Sequence, residues 1–333
     1  MMYHSIIKPL LFRIDPEKVH HLLMNSLKYY RYAIPVRACF RSYFSILSPF
    51  SFGNKLSFKN RIGLSAGFDK GAEAFDELAD FGFGFIEIGT VTPHEQSGNP
   101  PKRIFRLVED ESLISRTGFN NPGVDVIAEQ IKKHRKHSYI LGANINKDPS
   151  SQGEQIINDF ITVFNKLHTV VDYFTLNWGS IEKNDFENVL NALTRIRTEK
   201  KLKNSIFIKL PADIKEEVTE QVIALAERYS IEGFIATGPT MDRSALKHTQ
   251  TTEQEKIGTG GVSGKGMGKK SLAVVHYLAK HAGSKFLIIG AGGIMNVRDA
   301  IEMVHAGADL VQIYSAFIFS GPGTVKKMGK GIK

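Results

Sequence analysis

The chain has 333 residues, 42% of them hydrophobic, enough to bury one large core without a second globular domain. Its single cysteine, Cys39, excludes an intrachain disulfide and makes a reducing compartment the default. The net charge of +9 resides at the ends: seven Lys/Arg against Asp15 and Glu17 in residues 1–50, and four lysines against no acid from Val325 to Lys333.

A field of that sign favours anionic partners, either nucleic acid or a lipid surface. No zinc-finger, basic-zipper or aromatic RNA-binding signature accompanies the charge, so no nucleic-acid partner and no metal site are expected. No run of about 18 apolar residues suits a spanning helix. The opening lacks the layout of a signal peptide, so export by that route is not expected.

The first elements are helical. Ile6, Ile7, Leu10, Leu11 and Ile14 recur at helical spacing around Pro9. Asp15 then caps a second helix with Pro16 at its first position, and Val19, Leu22, Leu23, Leu27 and Tyr30 form its apolar stripe. Lys18, Lys28 and Arg31 lie off that stripe. Two short amphipathic helices with basic flanks suit attachment to a membrane surface. A helical cap packed on the rest of the chain fits the same periodicity.

Beyond residue 50, short apolar runs alternate with longer helical patterns. Eight runs read as strands: 62–67, 85–91, 139–145, 173–179, 205–211, 233–238, 286–292 and 310–315. Near-continuous apolar strands separated by helices imply a parallel sheet covered on both faces, and eight such units close into a (β/α)8 TIM barrel. The expected organisation is therefore α/β: a helical segment over 1–50 and a barrel over 51–333. A doubly wound open sheet is the alternative.

In such a barrel the chemistry sits where strands end. Those ends supply Lys70, Thr90, Asn144, Asn177, Lys209, Thr237, Gly292 and Tyr314, a ring of hydrogen-bonding groups. Glycine concentrates late, in "GTGGVSGKG" (258–266) and "GAGGI" (290–294), with "YSA" (314–316) after them. Backbone N–H groups and a serine hydroxyl gathered there suit a phosphate. Neither a Walker A loop nor a strand followed by G-x-G-x-x-G occurs. With Lys70 and Lys209 aimed at the mouth, a cofactor bearing one phosphate is expected. FMN and pyridoxal phosphate both fit.

The motifs "LFRIDPEKVH", "GLSAGFDK", "GFGFIEIGTVTP", "PKRIFRL", "GFNNPGVD", "EGFIATG", "GGVSG", "GAGGI" and "LVQIYSAFIF" span nearly the whole chain. In them the sequence resembles the class 2, quinone-dependent dihydroorotate dehydrogenases. That resemblance implies an FMN oxidoreductase of pyrimidine biosynthesis, peripheral on the cytoplasmic side of the cell membrane, whose N-terminal helices admit a quinone.

Carried over by position, it places FMN on Ala66, Gly67, Lys70, Thr90, Asn144, Asn177, Lys209, Thr237, Gly264, Gly292, Gly293, Tyr314 and Ser315. It makes Ser180 the catalytic base. It assigns substrate contacts to Lys70, Ser115, Phe119, Asn177, Glu182 and Gly238, and the quinone entry to His20 and Arg103. The chain departs from the family pattern in the stretch "NWGSIEKND", where a longer lid loop is missing and Glu182 replaces an asparagine. Ser115 also stands for an asparagine, and Gly238 and Pro239 for an Asn-Thr pair. A flavin-binding paralogue with a changed substrate, or without turnover, is therefore the alternative to a dihydroorotate dehydrogenase.

Overall fold

The computed structural model describes residues 3–53, 56–136 and 139–332. All eight apolar runs are strands: Ile62–Leu64, Phe85–Val91, Ile140–Ile145, Tyr173–Asn177, Ser205–Leu210, Gly233–Ala236, Leu287–Ala291 and Leu310–Ile313. Each pairs in parallel with the next, and the last with the first, closing the barrel and excluding the open sheet. A helix follows each strand and covers its outer face. On Glu154–Leu167, for example, Ile156, Phe160, Val163, Phe164 and Leu167 are all buried. Burial on both faces explains why the strands read as unbroken apolar runs rather than as alternations.

The interior is packed at the N-terminal end of the strands by large side chains: Phe85, Tyr173, Phe207, Leu287 and Leu310, all fully buried. Two strand glycines make room for them. A Cβ on Gly63 would lie 2.3 Å from the Phe85 ring, and one on Gly142 would lie 2.0 Å from that of Tyr173. An antiparallel hairpin, Phe50–Phe52 with Leu56–Phe58, adds Leu56 and Phe58 to the same cluster. The other end stays open for chemistry.

Three more strands were not anticipated. Ile104–Leu107, Ser112–Ser115 and Gly261–Gly264 form an antiparallel sheet beside the open end. Part of the expected glycine loop is therefore a strand, with Val262 buried against Ile114 and Leu246. Backbone pairing with Ser112–Ser115 outweighs the low strand propensity of glycine there.

The N-terminus holds three helical elements, not two: a turn over Tyr3–Ile7 running into Lys8–Leu11, then Pro16–Tyr30, then Ile34–Phe44. Asp15 caps as expected, accepting from the backbone N–H of Glu17 at 3.0 Å and of Lys18 at 3.2 Å. Several basic residues of these helices pair with carboxylates of the barrel. Arg37 is buried and donates to Asp80 at 2.6 Å, Asp76 at 3.0 Å and Glu77 at 3.2 Å. Arg31 pairs with Glu77 at 2.8 Å, and Lys28 with Glu73. These cations clamp the helices onto the acidic turn around Phe75–Ala79.

The apolar residues of that cap divide. Met24, Leu27 and Phe44 are buried. Leu22, assigned to the same stripe, is 55% exposed. Among the described residues, eleven of the fourteen large exposed hydrophobics fall between Ile6 and Leu47, a concentration that scattered surface residues would not show.

Candidate active site

One cavity of about 1500 Å3 runs from the open barrel end to the underside of the N-terminal helices. Its walls include every residue of the expected cofactor set: Ala66, Gly67, Lys70, Thr90, Asn144, Asn177, Lys209, Thr237, Gly264, Gly292, Gly293, Tyr314 and Ser315. Ser180, Ser115, Phe119, Gly238 and His20 line it too. The barrel register brings most of the cofactor set together at or just past the C-terminal ends of its strands, while Ser115, Phe119 and Gly264 come from the antiparallel sheet and the loop after it, and His20 from Pro16–Tyr30.

The amide and hydroxyl groups are already ordered. Thr90 donates to Asn144 Oδ1 at 2.7 Å, and Asn144 and Asn177 exchange side-chain hydrogen bonds at 2.8 and 3.0 Å. Ser180 Oγ donates to the carbonyl of Asn177 at 2.8 Å. That leaves the serine oxygen free to accept from a ligand.

Two lysines supply the charge. Lys70 Nζ donates to Thr117 Oγ1 at 2.7 Å and to Asn120. Burial, with Arg103 nearby, pushes its ammonium down to about 8. Lys209 Nζ reaches Ser65 Oγ at 3.3 Å and Glu87 at 3.6 Å. Glu87 lies fully buried inside the barrel, and its other oxygen accepts from Tyr173, Thr175 and Gln312. A cation in a low-dielectric wall needs such a counter-charge, and Glu87 provides it from below.

The glycines make a cradle. Gly264, Gly292 and Gly293 have φ of +98°, +98° and +75°, which L side chains rarely adopt. A Cβ on Gly293 would lie 2.1 Å from Gly268 Cα, and one on Gly264 would lie 2.5 Å from the Glu111 carbonyl. Ser315 and Ser263 stand beside them, 3.4 Å apart. Small residues, free amides and hydroxyls there suit a phosphate group.

The cap supplies the other half of the cavity. His20 packs edge-on to Phe68, centroids 5.3 Å apart, and Phe68 packs on Tyr314 at 5.5 Å. Burial lowers His20 to about 4, so its imidazole is neutral at ordinary pH, and burial pushes the Tyr314 hydroxyl up to about 12. Tyr3, Phe12, Leu23 and Ile318 make the surrounding walls mainly apolar.

Two expected site residues do not face the main cavity directly. Arg103 donates to Glu17 at 2.8 Å and to the carbonyls of Ser97 and Asn99; Glu17 and Ser97 line the cavity, so Arg103 stands just behind its wall. Arg106, three positions on, faces the cavity instead, 4.2 Å from the centroid of Phe12. Alternation along Ile104–Leu107 carries that signal, since Ile104 and Arg106 share the inward face. Glu182 is exposed at the start of Lys183–Glu199 and lines a separate small recess with Asp185 and Lys147. Ser180 stands between that recess and the main cavity. Thr117, Asn120, Gln312 and Glu87 went unnoticed in the sequence because each acts through a partner distant along the chain.

These features define a barrel whose mouth suits an anionic, phosphate-bearing group and which opens sideways into an apolar passage. The family model described as dihydroorotate dehydrogenase matches residues 53–333. A dihydroorotate dehydrogenase (quinone) of Christiangramia forsetii is 38% identical over 344 residues, covering 99% of this chain and 98% of that one. Another, of Yersinia pseudotuberculosis, is 37% identical over 340 residues, covering 98% and 99%. Among solved structures, DHODH from Eimeria tenella superposes at TM-scores of 0.79 in complex with ferulenol and 0.81 ligand-free, both at 26% identity. Each comparison covers 95% of this chain, and 90% and 94% of the respective Eimeria chains. The chain belongs to the dihydroorotate dehydrogenase family.

Proposed function

We propose that the protein is a quinone-dependent dihydroorotate dehydrogenase that holds FMN at the barrel mouth and works at the cytoplasmic surface of the cell membrane. The observation that carries this reading is the single cavity joining the cofactor cradle to the apolar passage under the N-terminal helices. FMN would rest its phosphate on Gly264, Gly292, Gly293 and Ser315, and its ring system among Ala66, Thr90, Asn144, Asn177 and Lys209. When bound, it supplies the hydride acceptor and hands electrons on to the quinone. Lys209 presents a fixed cation to the group that gains negative charge on reduction.

Ser180 acts as the base. Its Oγ accepts the proton leaving a substrate carbon, and the recess with Glu182 and Asp185 gives that proton a route to water. Lys70, Asn177, Ser115 and Phe119 orient the substrate, the lysine opposite its carboxylate. Gly238 and Pro239 supply wall but no side-chain donor. His20 and Arg106 flank the passage by which an apolar quinone arrives. Among the described residues no helix is long and apolar enough to cross a membrane, so the exposed apolar cap would make the attachment.

The test is an anaerobic titration of the purified protein. Dihydroorotate should bleach the flavin absorbance, and a quinone should restore it. Bleaching only by an artificial reductant would remove dihydroorotate as the substrate, and a colourless protein that takes up no FMN would end the proposal.

A further inference from the structure

We propose that the C-terminal helix Gly323–Gly331 is a second membrane-contact element, and that its lysines Lys326, Lys327 and Lys330 select anionic lipid headgroups. The inference rests on the membrane-surface reading above and adds a chemical preference to it.

The structure brings the two basic ends of the chain together. Lys326 Nζ donates to the carbonyl of Tyr43 and lies 4.2 Å from the centroid of its ring. Gly329 packs flush on Ile46, where a Cβ would come within 2.6 Å of Cδ1. The helix buries Thr324, Val325, Met328 and Gly329. At about 100° per residue, the three lysines share the opposite arc. Lys327 and Lys330 are exposed, and Tyr43 beside them is 66% exposed. The lysines thus border the apolar surface formed by Val36, Phe40, Tyr43 and Leu47.

Charge complementarity identifies the occupant. The sequence has no Asp or Glu between Glu17 and Asp69, and none after Asp309. The cations of the N-terminal helices are largely committed: Lys28 to Glu73, Arg31 to Glu77, Arg37 to Asp76, Glu77 and Asp80, and Arg41 to Asp80. They hold the cap to the barrel. Among the described residues, Lys326, Lys327 and Lys330 pair with no Asp or Glu side chain. A cationic border around exposed apolar side chains, with no acid among them, fits a sheet of anionic headgroups over acyl chains.

The experiment measures binding of the full-length protein to phosphatidylcholine vesicles with and without phosphatidylglycerol. Wild type should bind the anionic vesicles more tightly, and added salt should remove the difference. The triple variant Lys326→Gln, Lys327→Gln, Lys330→Gln should lose that preference, weakening binding to anionic vesicles by roughly a hundredfold. It should keep wild-type binding to neutral vesicles. Turnover with a water-soluble quinone should stay unchanged, showing that the variant is folded. A triple variant that prefers anionic vesicles as wild type does overturns the inference. So does a wild type that binds both vesicles equally, which would leave the membrane reading intact. A wild type that binds neither overturns both.

Discussion

The barrel mouth and the N-terminal cap both bury a cation, and they use it in opposite ways. In the cap, the Arg37 guanidinium meets three carboxylates and does not line the main cavity. In the mouth, Lys209 meets one carboxylate at 3.6 Å while lining the main cavity. A cation outnumbered by its partners is a fastener. One held by a single distant partner keeps a field to spend on a ligand. Composition alone does not separate the two, because each is a basic residue set in a mostly apolar run.

The largest effect expected is in the mouth. Ser180→Ala removes the hydroxyl placed at the boundary between main cavity and recess, and substrate-driven flavin reduction should slow by about 10²–10⁴-fold. Stopped-flow absorbance would measure it, with reoxidation by quinone unchanged. A loss under tenfold would move the base elsewhere. Next comes the fastener. Arg37→Met removes the buried guanidinium shared by Asp76, Glu77 and Asp80, at a cost of about 3–5 kcal/mol in denaturant unfolding. Quinone-dependent turnover should fall with it, while dihydroorotate still bleaches the flavin. Equal losses in both half-reactions would show that the two regions are one functional unit.

A third test uses acidity. Lys70 is held down to about 8, chiefly by burial and then by Arg103. Its ammonium is therefore present below that pH and is lost above it. Apparent KM for an anionic substrate should be flat from neutral pH to about 8, then rise by about tenfold per pH unit. Arginine does not lose its charge in this range, so Lys70→Arg should flatten the profile even if it raises KM throughout. A wild-type profile flat to pH 10 would show that the charge on Lys70 does not hold the substrate.

The barrel was legible because its signal is local: eight apolar runs, each bounded by polar or glycine residues, need only their own neighbours to be recognised. The cofactor ring followed from the same logic, since strand ends are countable. The sheet of Ile104–Leu107, Ser112–Ser115 and Gly261–Gly264 was not legible, because its third strand is glycine-rich and pairs with a segment about 150 positions earlier. Arg103 and Arg106 illustrate a finer limit. The family resemblance points to Arg103, whereas the strand's pleat turns Arg106 to the cavity and leaves Arg103 behind Glu17. Glu182 misled because replacement at an expected contact position was read as a contact. The helix beginning at Lys183 follows the short turn directly and leaves that side chain outside the main cavity.

The smallest effect separates the two faces of a single helix. Leu22 and Leu27 belong to one apolar stripe of Pro16–Tyr30, yet Leu22 is 55% exposed and Leu27 only 4%. Stability should discriminate between them. Leu27→Ala removes packing from the seam between cap and barrel, at about 2–5 kcal/mol. Leu22→Ala shortens a mostly exposed side chain at the cavity's edge and should stay within about 0.5 kcal/mol of wild type. Vesicle binding should rank them the other way, because Leu22 offers its side chain to acyl chains and Leu27 does not. If Leu22→Ala binds vesicles as wild type does, the exposed residues nearer Tyr43 and Leu47 would carry the attachment, and the membrane face would lie along Ile34–Phe44 rather than along Pro16–Tyr30.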